Sequence, residues 1–253
     1  MTLKYLITGA TGGLGRYVLD YFVANKPLHE FAAASSRESN RTQFEDCGIA
    51  FRQVDYDDPA TLDKAFRDVE NLLFVSTNTF DNEKRRKQHQ NFVDAAKAFP
   101  VLLNWYPDST TVPLPADGPM ALTLRSELGE ATARLMIAGG HENEIVLLTA
   151  EDTIRPSEIV DIINQTTGRE VKFERVSPEG YIRIYGENDR GGKPKAFFQQ
   201  TLTWYEGIEK GELATTHSLM RELLGREPTK PRDAIQGLLL ENPNYTWHQN
   251  YVN

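Results

Sequence analysis

The sequence contains one cysteine, Cys47, among 253 residues. A single thiol cannot form a disulfide bond within the chain, so a scaffold held together by disulfides is excluded. The first eight residues also lack the order of charged, long apolar and small residues that marks a secretory signal peptide. We therefore expect an intracellular, cytoplasmic protein.

Long apolar runs and an excess of positive charge are absent as well. No run approaches the roughly 18 residues that span a bilayer, so membrane association is not expected. Lys and Arg number 28 against 36 Asp and Glu, which gives a formal net charge of -8. Phosphate backbones repel an acidic chain, so direct binding to nucleic acid is not expected either. The five histidines have no partner at metal-ligand spacing, and the sequence predicts no metal site.

The chain does have enough apolar sequence for a packed core, because 40% of its residues are hydrophobic. In the first hundred residues, short apolar runs alternate with segments of helical spacing, which predicts strands and helices in turn. Four such strand–helix units imply right-handed crossovers and an α/β fold with a Rossmann-like doubly wound parallel sheet. The predicted strands are Lys4–Thr8, Glu30–Ser35, Ile49–Val54 and Leu72–Val75, the last being the most buried in character, and a long helix is predicted for Glu83–Phe99.

The alternation ends near Pro100. We therefore predict two parts, residues 1–100 with the sheet and residues 101–253 as a small α+β carboxyl-terminal part. The second part is predicted to begin with an extended proline-rich loop at Val112–Gly118. We further predict strands at Met120–Leu124, Glu144–Thr149 and Val171–Val176. Helices are predicted to begin near Ser126 and Ser157, and a further helix that covers the core is predicted between Phe197 and Ile208.

The strongest motif is a glycine-rich turn between the first strand and the first helix. A glycine-rich turn alone is weak evidence, but in this position one glycine permits the tight turn, one the approach of a pyrophosphate, and one close helix–strand packing. The amino terminus of the following helix favours phosphate charge. The sequence therefore predicts dinucleotide binding by Gly9, Ala10, Thr11, Gly12, Gly13, Leu14 and Gly15.

The residues after the second strand indicate which dinucleotide is bound. An acidic residue there would bind the ribose 2′-hydroxyl of NAD, but this chain has Ser35, Ser36 and Arg37. A guanidinium suits a 2′-phosphate, which favours NADP. The alternative is that Arg37 is only a solvated surface charge.

Polar residues also follow the third and fourth strands, at the edge of the sheet where open α/β sheets bind ligands. Ser76 and Thr77 are predicted to line the nicotinamide ribose, although hydroxyl residues also simply end strands. Asp55 is predicted to border the adenine, whereas Asp58 is placed to cap the next helix.

Several of these motifs together resemble one family. The glycine turn, the stretches Val54–Leu62, Phe74–Thr77 and Gln88–Lys97, and the later stretch Arg125–Arg134 resemble the NmrA-like branch of atypical short-chain dehydrogenase/reductases. Within that branch the sequence is most similar to NADPH-dependent quinone oxidoreductases, from residue 3 to about residue 240. The resemblance implies NADP on the glycine turn, Arg37 and the Ser76 region, with a substrate cleft between the sheet and the carboxyl-terminal part.

The resemblance also implies that a segment is missing. In such proteins the helix that ends near Lys97 is followed by a fifth strand, a helix and a sixth strand. Here Pro100 leads directly into Leu102–Tyr106, which resembles the family only after its sixth strand. We therefore expect a fold truncated in its second half, without the strands that close over the nicotinamide.

No catalytic residue can be assigned from the sequence. None of the ten tyrosines is followed four residues later by lysine, so the Tyr-x-x-x-Lys acid pair of ordinary short-chain dehydrogenases is absent. The first hypothesis is an NADPH-dependent oxidoreductase that reduces a quinone or another small acceptor. The alternatives are a regulator that senses NADP(H) through a protein partner, and a degenerate or mis-spliced family member. An unpaired edge of the fourth strand would also favour association between copies.

Overall fold

The structure is a computed structural model that describes residues 3–75, 108–141, 144–187 and 194–241. The chain divides into two compact units, and each is discontinuous in sequence. The first unit comprises Met1–Ala98 and Arg125–Val146, and the second comprises Phe99–Leu124 and Leu147–Asn253.

The first unit contains a four-stranded parallel sheet in the order β3-β2-β1-β4. The predicted α/β fold with a Rossmann-like parallel sheet is confirmed. Its strands are β1 (Leu3–Ile7), β2 (Phe31–Ser35), β3 (Ala50–Gln53) and β4 (Val69–Leu73), and its helices are α1 (Gly15–Asn25), α2 (Arg41–Glu45), α3 (Pro59–Phe66) and α4 (Arg125–Ala138), with short 3₁₀ turns at Leu28–Glu30 and Glu38–Asn40.

Side chains of the central strands fill two separate cores, one on each face of the sheet. Successive residues of a strand point to opposite faces, so Tyr5 and Leu6 of β1 enter different cores. Tyr5 packs edge-on against Phe22 of α1 at a ring-centroid distance of 5.0 Å, whereas Leu6 lies in the cluster that includes Leu62 of α3. All five residues of β2 are buried, as expected for a strand covered on both faces.

The prediction that the fourth strand would be the most buried is wrong. The four residues of the predicted strand, Leu72–Val75, are only half-buried, and Glu70 and Asn71 earlier in β4 are exposed. Among the described strands, β4 pairs with β1 alone. With one neighbour among the described strands, β4 has less of its surface covered by them than the central β1 and β2.

Helix α4 packs against α1, although residues far apart in sequence form the two helices. A Cβ atom on Gly129 would lie 2.4 Å from Cβ of Tyr17, so only glycine allows this close approach. Ala133 is fully buried in the core that contains Phe22. The guanidinium of Arg134 lies 5.4 Å from the ring centroid of Tyr21.

This packing places residues 125–146 in the first unit, whereas the sequence-based division at residue 100 assigned them to the second part. The reason is the apolar contact of α4 with α1, which leaves no trace in local periodicity. A boundary near residue 100, where the chain first passes from one unit to the other, stays a prediction. The chain also passes between the units at Leu124–Arg125 and at Val146–Leu147.

The second unit has a two-stranded parallel sheet, with Val112 opposite Phe173, and five helices in the residues that the structure describes. Its core combines aliphatic residues such as Ile159 and Ile163 with the aromatic residues Tyr181 and Phe198. The elements are β5 (Thr111–Leu114), α5 (Pro156–Thr167), β6 (Lys172–Arg175), α6 (Pro178–Gly186), α7 (Lys195–Glu209), α8 (Leu219–Leu224) and α9 (Pro231–Glu241).

Helix α5 begins where Asp117 reaches its first turn. One carboxylate oxygen of Asp117 accepts a hydrogen bond from the backbone N–H of Ser157 at 2.8 Å, and the other accepts from the Ser157 hydroxyl at 2.9 Å. Pro156 occupies the first helical position, where a missing N–H costs nothing. The helix ends at Gly168, whose φ of 69° is in the left-handed region.

Some predicted elements of the second half are confirmed and others are wrong. The helix near Ser157, the strand within Val171–Val176 and the helix across Phe197–Ile208 are confirmed. Met120–Leu124 is not a strand, because only Met120 bridges to Ile154. Part of the predicted proline-rich loop forms β5, which pairs with β6.

Residues 144–149 were predicted as a strand and form none. No described strand runs beside them, so their apolar sequence has no ladder of hydrogen bonds to join, and Ile145 is 95% exposed. The predicted helix Glu83–Phe99, the segment Leu102–Tyr106 and the junction after Lys97 lie outside the described residues.

The close approach of α4 to α1 predicts opposite effects for two glycine substitutions. We expect Gly129→Ala to lower the free energy of unfolding by about 1–3 kcal/mol, because its Cβ would overlap Tyr17. Gly237→Ala in α9 is the control: nothing lies within 4 Å of its Cβ position. This second change should raise the free energy of unfolding by about 0.5–1 kcal/mol through helix propensity. Urea denaturation measures both, and a harmless Gly129→Ala would contradict the packing.

Candidate cofactor-binding site

The glycine turn joins the end of β1 to the start of α1, and its shape excludes side chains at two positions. Gly9 has a φ of 62°, in the left-handed region. A Cβ atom on Gly15 would lie 2.3 Å from the carbonyl oxygen of Gly9, a distance that no side chain tolerates. The N–H of Gly12 donates to the same carbonyl at 2.8 Å, and the N–H of Ala10 donates to Ala34 of β2 at 3.1 Å.

The start of α1 is suited to an anion. Its first turn contains no acidic residue, and no side chain caps it. Within the described residues, the backbone N–H groups of Gly13 and Leu14 donate no hydrogen bond. Uncapped N–H groups at a helix amino terminus carry partial positive charge, so the turn fits the pyrophosphate of a dinucleotide.

A partly buried hydroxyl network holds the residues just after β4 beside this turn. The Thr8 hydroxyl donates to the carbonyl of Leu73 at 2.8 Å and accepts from the N–H of Val75 at 2.9 Å. The Tyr56 hydroxyl lies 2.9 Å from the Thr8 oxygen and 3.0 Å from the carbonyl oxygen of Val75. The Cβ position of Gly9 is 3.0 Å from Cβ of Val75, so the network and the glycine turn are in contact.

Burial raises the pKa of Tyr56 to about 12. The hydrogen bond with Thr8 acts in the opposite direction but is the smaller effect. Tyr56 therefore keeps its proton throughout the neutral range, and the network keeps its donor. Sequence reasoning missed Thr8 and Tyr56, because nothing local shows that hydroxyls from β1 and from the loop after β3 meet.

Arg37 lies exposed just after β2, where the sequence predicted it. Its side chain makes no hydrogen bond or ion pair with any residue that the structure describes. Arg41, by contrast, is paired with Glu38 at 2.5 Å and with Glu45 at 2.9 Å. Of these two neighbouring guanidiniums, Arg37 is the one whose charge is available to a phosphate group.

Asp55 follows β3 as expected and takes part in the turn before α3. Its carboxylate accepts the N–H of Asp57 at 3.0 Å, and its own N–H donates to Thr61 at 2.9 Å. The capping role of Asp58 is confirmed, because its carboxylate accepts the N–H of Ala60 at 3.1 Å. Contact of Asp55 with adenine stays a prediction, and Ser76 and Thr77 lie outside the described residues.

One further cation lies at the turn. The Cβ position of Gly13 is 2.9 Å from Nη1 of Arg125, the first residue of α4. Sequence reasoning assigned no role to Arg125, because the packing of α4 on α1 is not visible in the sequence.

In the described part of the chain, no three or more His, Cys, Asp or Glu side chains are grouped so that they could hold a metal ion. None of the helices in those residues combines the length and the apolar character needed to cross a membrane.

Comparison with known proteins agrees with the site. Residues 9–101 match a family model described as NAD(P)H-binding, a range that begins at the first glycine of the turn. Fold and motif together define a Rossmann-type NAD(P)H-binding protein. The chain is 44% identical to an NmrA-like family domain-containing oxidoreductase, flvB of Aspergillus flavus, over 99% of both proteins. It therefore belongs to the NmrA-like family of oxidoreductases.

More distant relatives share the fold. Quinone oxidoreductase 2 of Escherichia coli is 23% identical over 93% of this chain and 99% of its own, and its structure with NADPH has a TM-score of 0.76. Triphenylmethane reductase of Citrobacter sp., solved with NADP(H), has a TM-score of 0.79 at 23% identity, covering 92% of this chain and 99% of its own.

The alignment with the Aspergillus relative spans 305 positions, more than the 253 residues of this chain. Part of that alignment therefore has no counterpart here. The location of the difference after Lys97 stays a prediction.

The raised pKa of Tyr56 predicts a specific loss of stability at high pH. The neutral hydroxyl is favoured in the folded state, so its contribution is complete below pH 10, the ordinary tyrosine value, and is lost as the pH rises to about 12. Tyr56→Phe removes this group. Between pH 9.5 and 11.5, the free energy of unfolding of the variant should therefore fall by about 2 kcal/mol less than that of the wild-type protein. Urea denaturation across that range tests the expectation, and parallel curves for the two proteins would refute it.

Proposed function

We propose that the chain is an NADPH-dependent oxidoreductase that reduces a quinone or a similar small electrophilic acceptor. The observation that carries the choice of cofactor is the exposed guanidinium of Arg37 just after β2, which pairs with no residue that the structure describes. A 2′-phosphate is the group of NADP that a guanidinium binds best, through paired charge-assisted hydrogen bonds. The choice of acceptor is supported by the likeness to quinone oxidoreductase 2.

In this proposal, different parts of the first unit bind different parts of the dinucleotide. The N–H groups of Gly13 and Leu14 hold the pyrophosphate, and Gly9 and Gly15 keep the turn compact enough for it to approach. Arg37 binds the 2′-phosphate and Asp55 borders the adenine. Ser76 and Thr77 are proposed to contact the nicotinamide ribose because of their place in the sequence after β4.

The network of Thr8, Tyr56 and Val75 acts indirectly. It fixes Val75, the residue before Ser76, against the glycine turn through hydrogen bonds of 2.9 to 3.0 Å. Holding a hydride donor in the correct orientation is a large part of what a protein contributes to such reactions. When bound, NADPH would supply a hydride, and the one proton that completes the hydroquinone comes from solvent. No side-chain acid is assigned, which agrees with the absence of a Tyr-x-x-x-Lys pair.

The proposed activity predicts quinone-dependent oxidation of NADPH. Steady-state assays with a panel of benzoquinones and naphthoquinones, and with a triphenylmethane dye for comparison, should show NADPH consumption above the rate without protein. The same assays with NADH should be slower. Tight NADPH binding without turnover of any acceptor would contradict the enzymatic proposal, and a protein partner retained only with nucleotide would then support the sensing alternative.

The role of Arg37 predicts a change in cofactor preference. Arg37→Ala should weaken NADPH binding by about 1.5–3 kcal/mol, the range for hydrogen bonds to charged groups, and leave NADH binding nearly unchanged. Lys26→Ala removes the same charge at the far end of α1 and should affect neither nucleotide. Titration calorimetry measures all four affinities. Equal losses for NADPH and NADH would make Arg37 a surface charge without a role in selectivity.

A further inference from the structure

The guanidinium of Arg125 lies over the middle of the glycine turn. Its Nη1 atom is 2.9 Å, its Cδ 3.4 Å and its Cζ 3.6 Å from the position that a Cβ on Gly13 would occupy. The N–H of Gly13 is one of the two at the start of α1 that donate no hydrogen bond within the described residues. We propose that Arg125 is a ligand of the cofactor pyrophosphate, brought to the turn by α4 rather than by any residue of the turn itself.

The position of Arg125 is determined by tight packing further along α4. Gly129, one turn later, contacts Tyr17, and Ala133, a further turn along, is fully buried against the core beneath α1. These contacts fix the axis of α4 against α1, so the first residue of α4 is carried to the first turn of α1. The long Arg125 side chain then needs only to extend over Gly13, where the absence of a Cβ leaves space for it.

The electrostatics of the turn favour an anion between these groups. The uncapped start of α1 is positive, and Arg16 adds a second cation there, whose carboxylate partner Asp20 is 3.9 Å away and mostly exposed. A pyrophosphate brings two negative charges to the same place. Arg125 does not have to be free of protein partners for this role, because a guanidinium carries five N–H donors and can share them.

Arg125 and Arg37 are therefore assigned to different phosphates of one ligand. Arg37 faces the 2′-phosphate, which only NADPH carries, and Arg125 faces the pyrophosphate, which NADPH and NADH share. The inference rests on the proposed NADPH binding and is independent of the acceptor. It is tested by binding alone, so a protein that binds NADPH but reduces no quinone still tests it.

The decisive experiment compares three ligands by titration calorimetry: NADPH, NADH and adenosine 2′-monophosphate, which has the 2′-phosphate but no pyrophosphate. Arg125→Ala should weaken NADPH and NADH by the same factor, about 10- to 100-fold, and leave adenosine 2′-monophosphate unchanged. Arg37→Ala should give the opposite pattern, weakening NADPH and adenosine 2′-monophosphate but not NADH. Unchanged NADPH affinity in Arg125→Ala would overturn the proposal.

Two further variants separate a ligand from a structural residue. Arg125→Lys keeps the charge but loses the planar fork, and should cause a smaller, equal loss for both dinucleotides. Arg134→Ala removes another guanidinium of α4, one that lies over the ring of Tyr21 and away from the turn, and should change no affinity. If Arg125→Ala lowers the melting temperature of the nucleotide-free protein, the lysine variant decides, and equal losses for all three ligands would refute the proposal.

A double-mutant cycle with Gly13 tests the contact itself. The methyl group of Gly13→Ala would meet the long side chain of Arg125 first, so this variant should fold while displacing the guanidinium. Its effect on NADPH affinity should largely disappear in the Arg125→Ala background, because the two substitutions remove one interaction. Fully additive losses would mean that Arg125 does not act at Gly13. Failure of the wild-type protein to bind NADPH would instead contradict the cofactor proposal.

Discussion

The carbonyl oxygen of Gly9 lies 2.3 Å from where a side chain on Gly15 would begin, and this close approach fixes the geometry of the whole first unit. It brings the start of α1 directly over the end of β1. The helix axis is then determined, and Phe22 comes to lie between Tyr5 and Phe31 in the core. The same close approach leaves the start of α1 without a side-chain cap.

Two sets of contacts connect the glycine turn to the rest of the first unit. Toward β4, the hydroxyls of Thr8 and Tyr56 tie the backbone of Val75 to the turn. Toward α4, Gly129 has the same role as Gly15, because the lack of a side chain allows two backbone segments to approach closely. Rigid elements that share small contact residues in this way hold binding groups more accurately than loops do. Arg37 differs, because it lies at the start of a short 3₁₀ turn and its side chain has no partner among the described residues.

The features that the sequence predicted well are those encoded locally. The glycine turn and the capping Asp58 follow from the spacing of close neighbours, and the parallel sheet follows from the alternation of strands and helices along the first hundred residues; the structure has all three. The features that it missed depend on contacts between distant segments. Nothing near Arg125 shows that α4 packs on α1, and nothing near Tyr56 shows that its hydroxyl reaches Thr8. Residues 144–149 illustrate the opposite error, because an apolar pattern forms a strand only beside another strand. Ile145 is instead almost fully exposed.

The discontinuity of the first unit has a consequence for how the chain folds. When the first hundred residues have left the ribosome, β1 to β4 can pair, but the surface of α1 that receives Ala133 and Met136 is still bare. That surface is covered only after α4 has been synthesised, and by then β5 of the second unit has also emerged. Contacts of such large sequence separation form late in folding. During synthesis the nascent first unit therefore exposes an apolar helix face, a period in which a chaperone that binds apolar segments would protect it from aggregation.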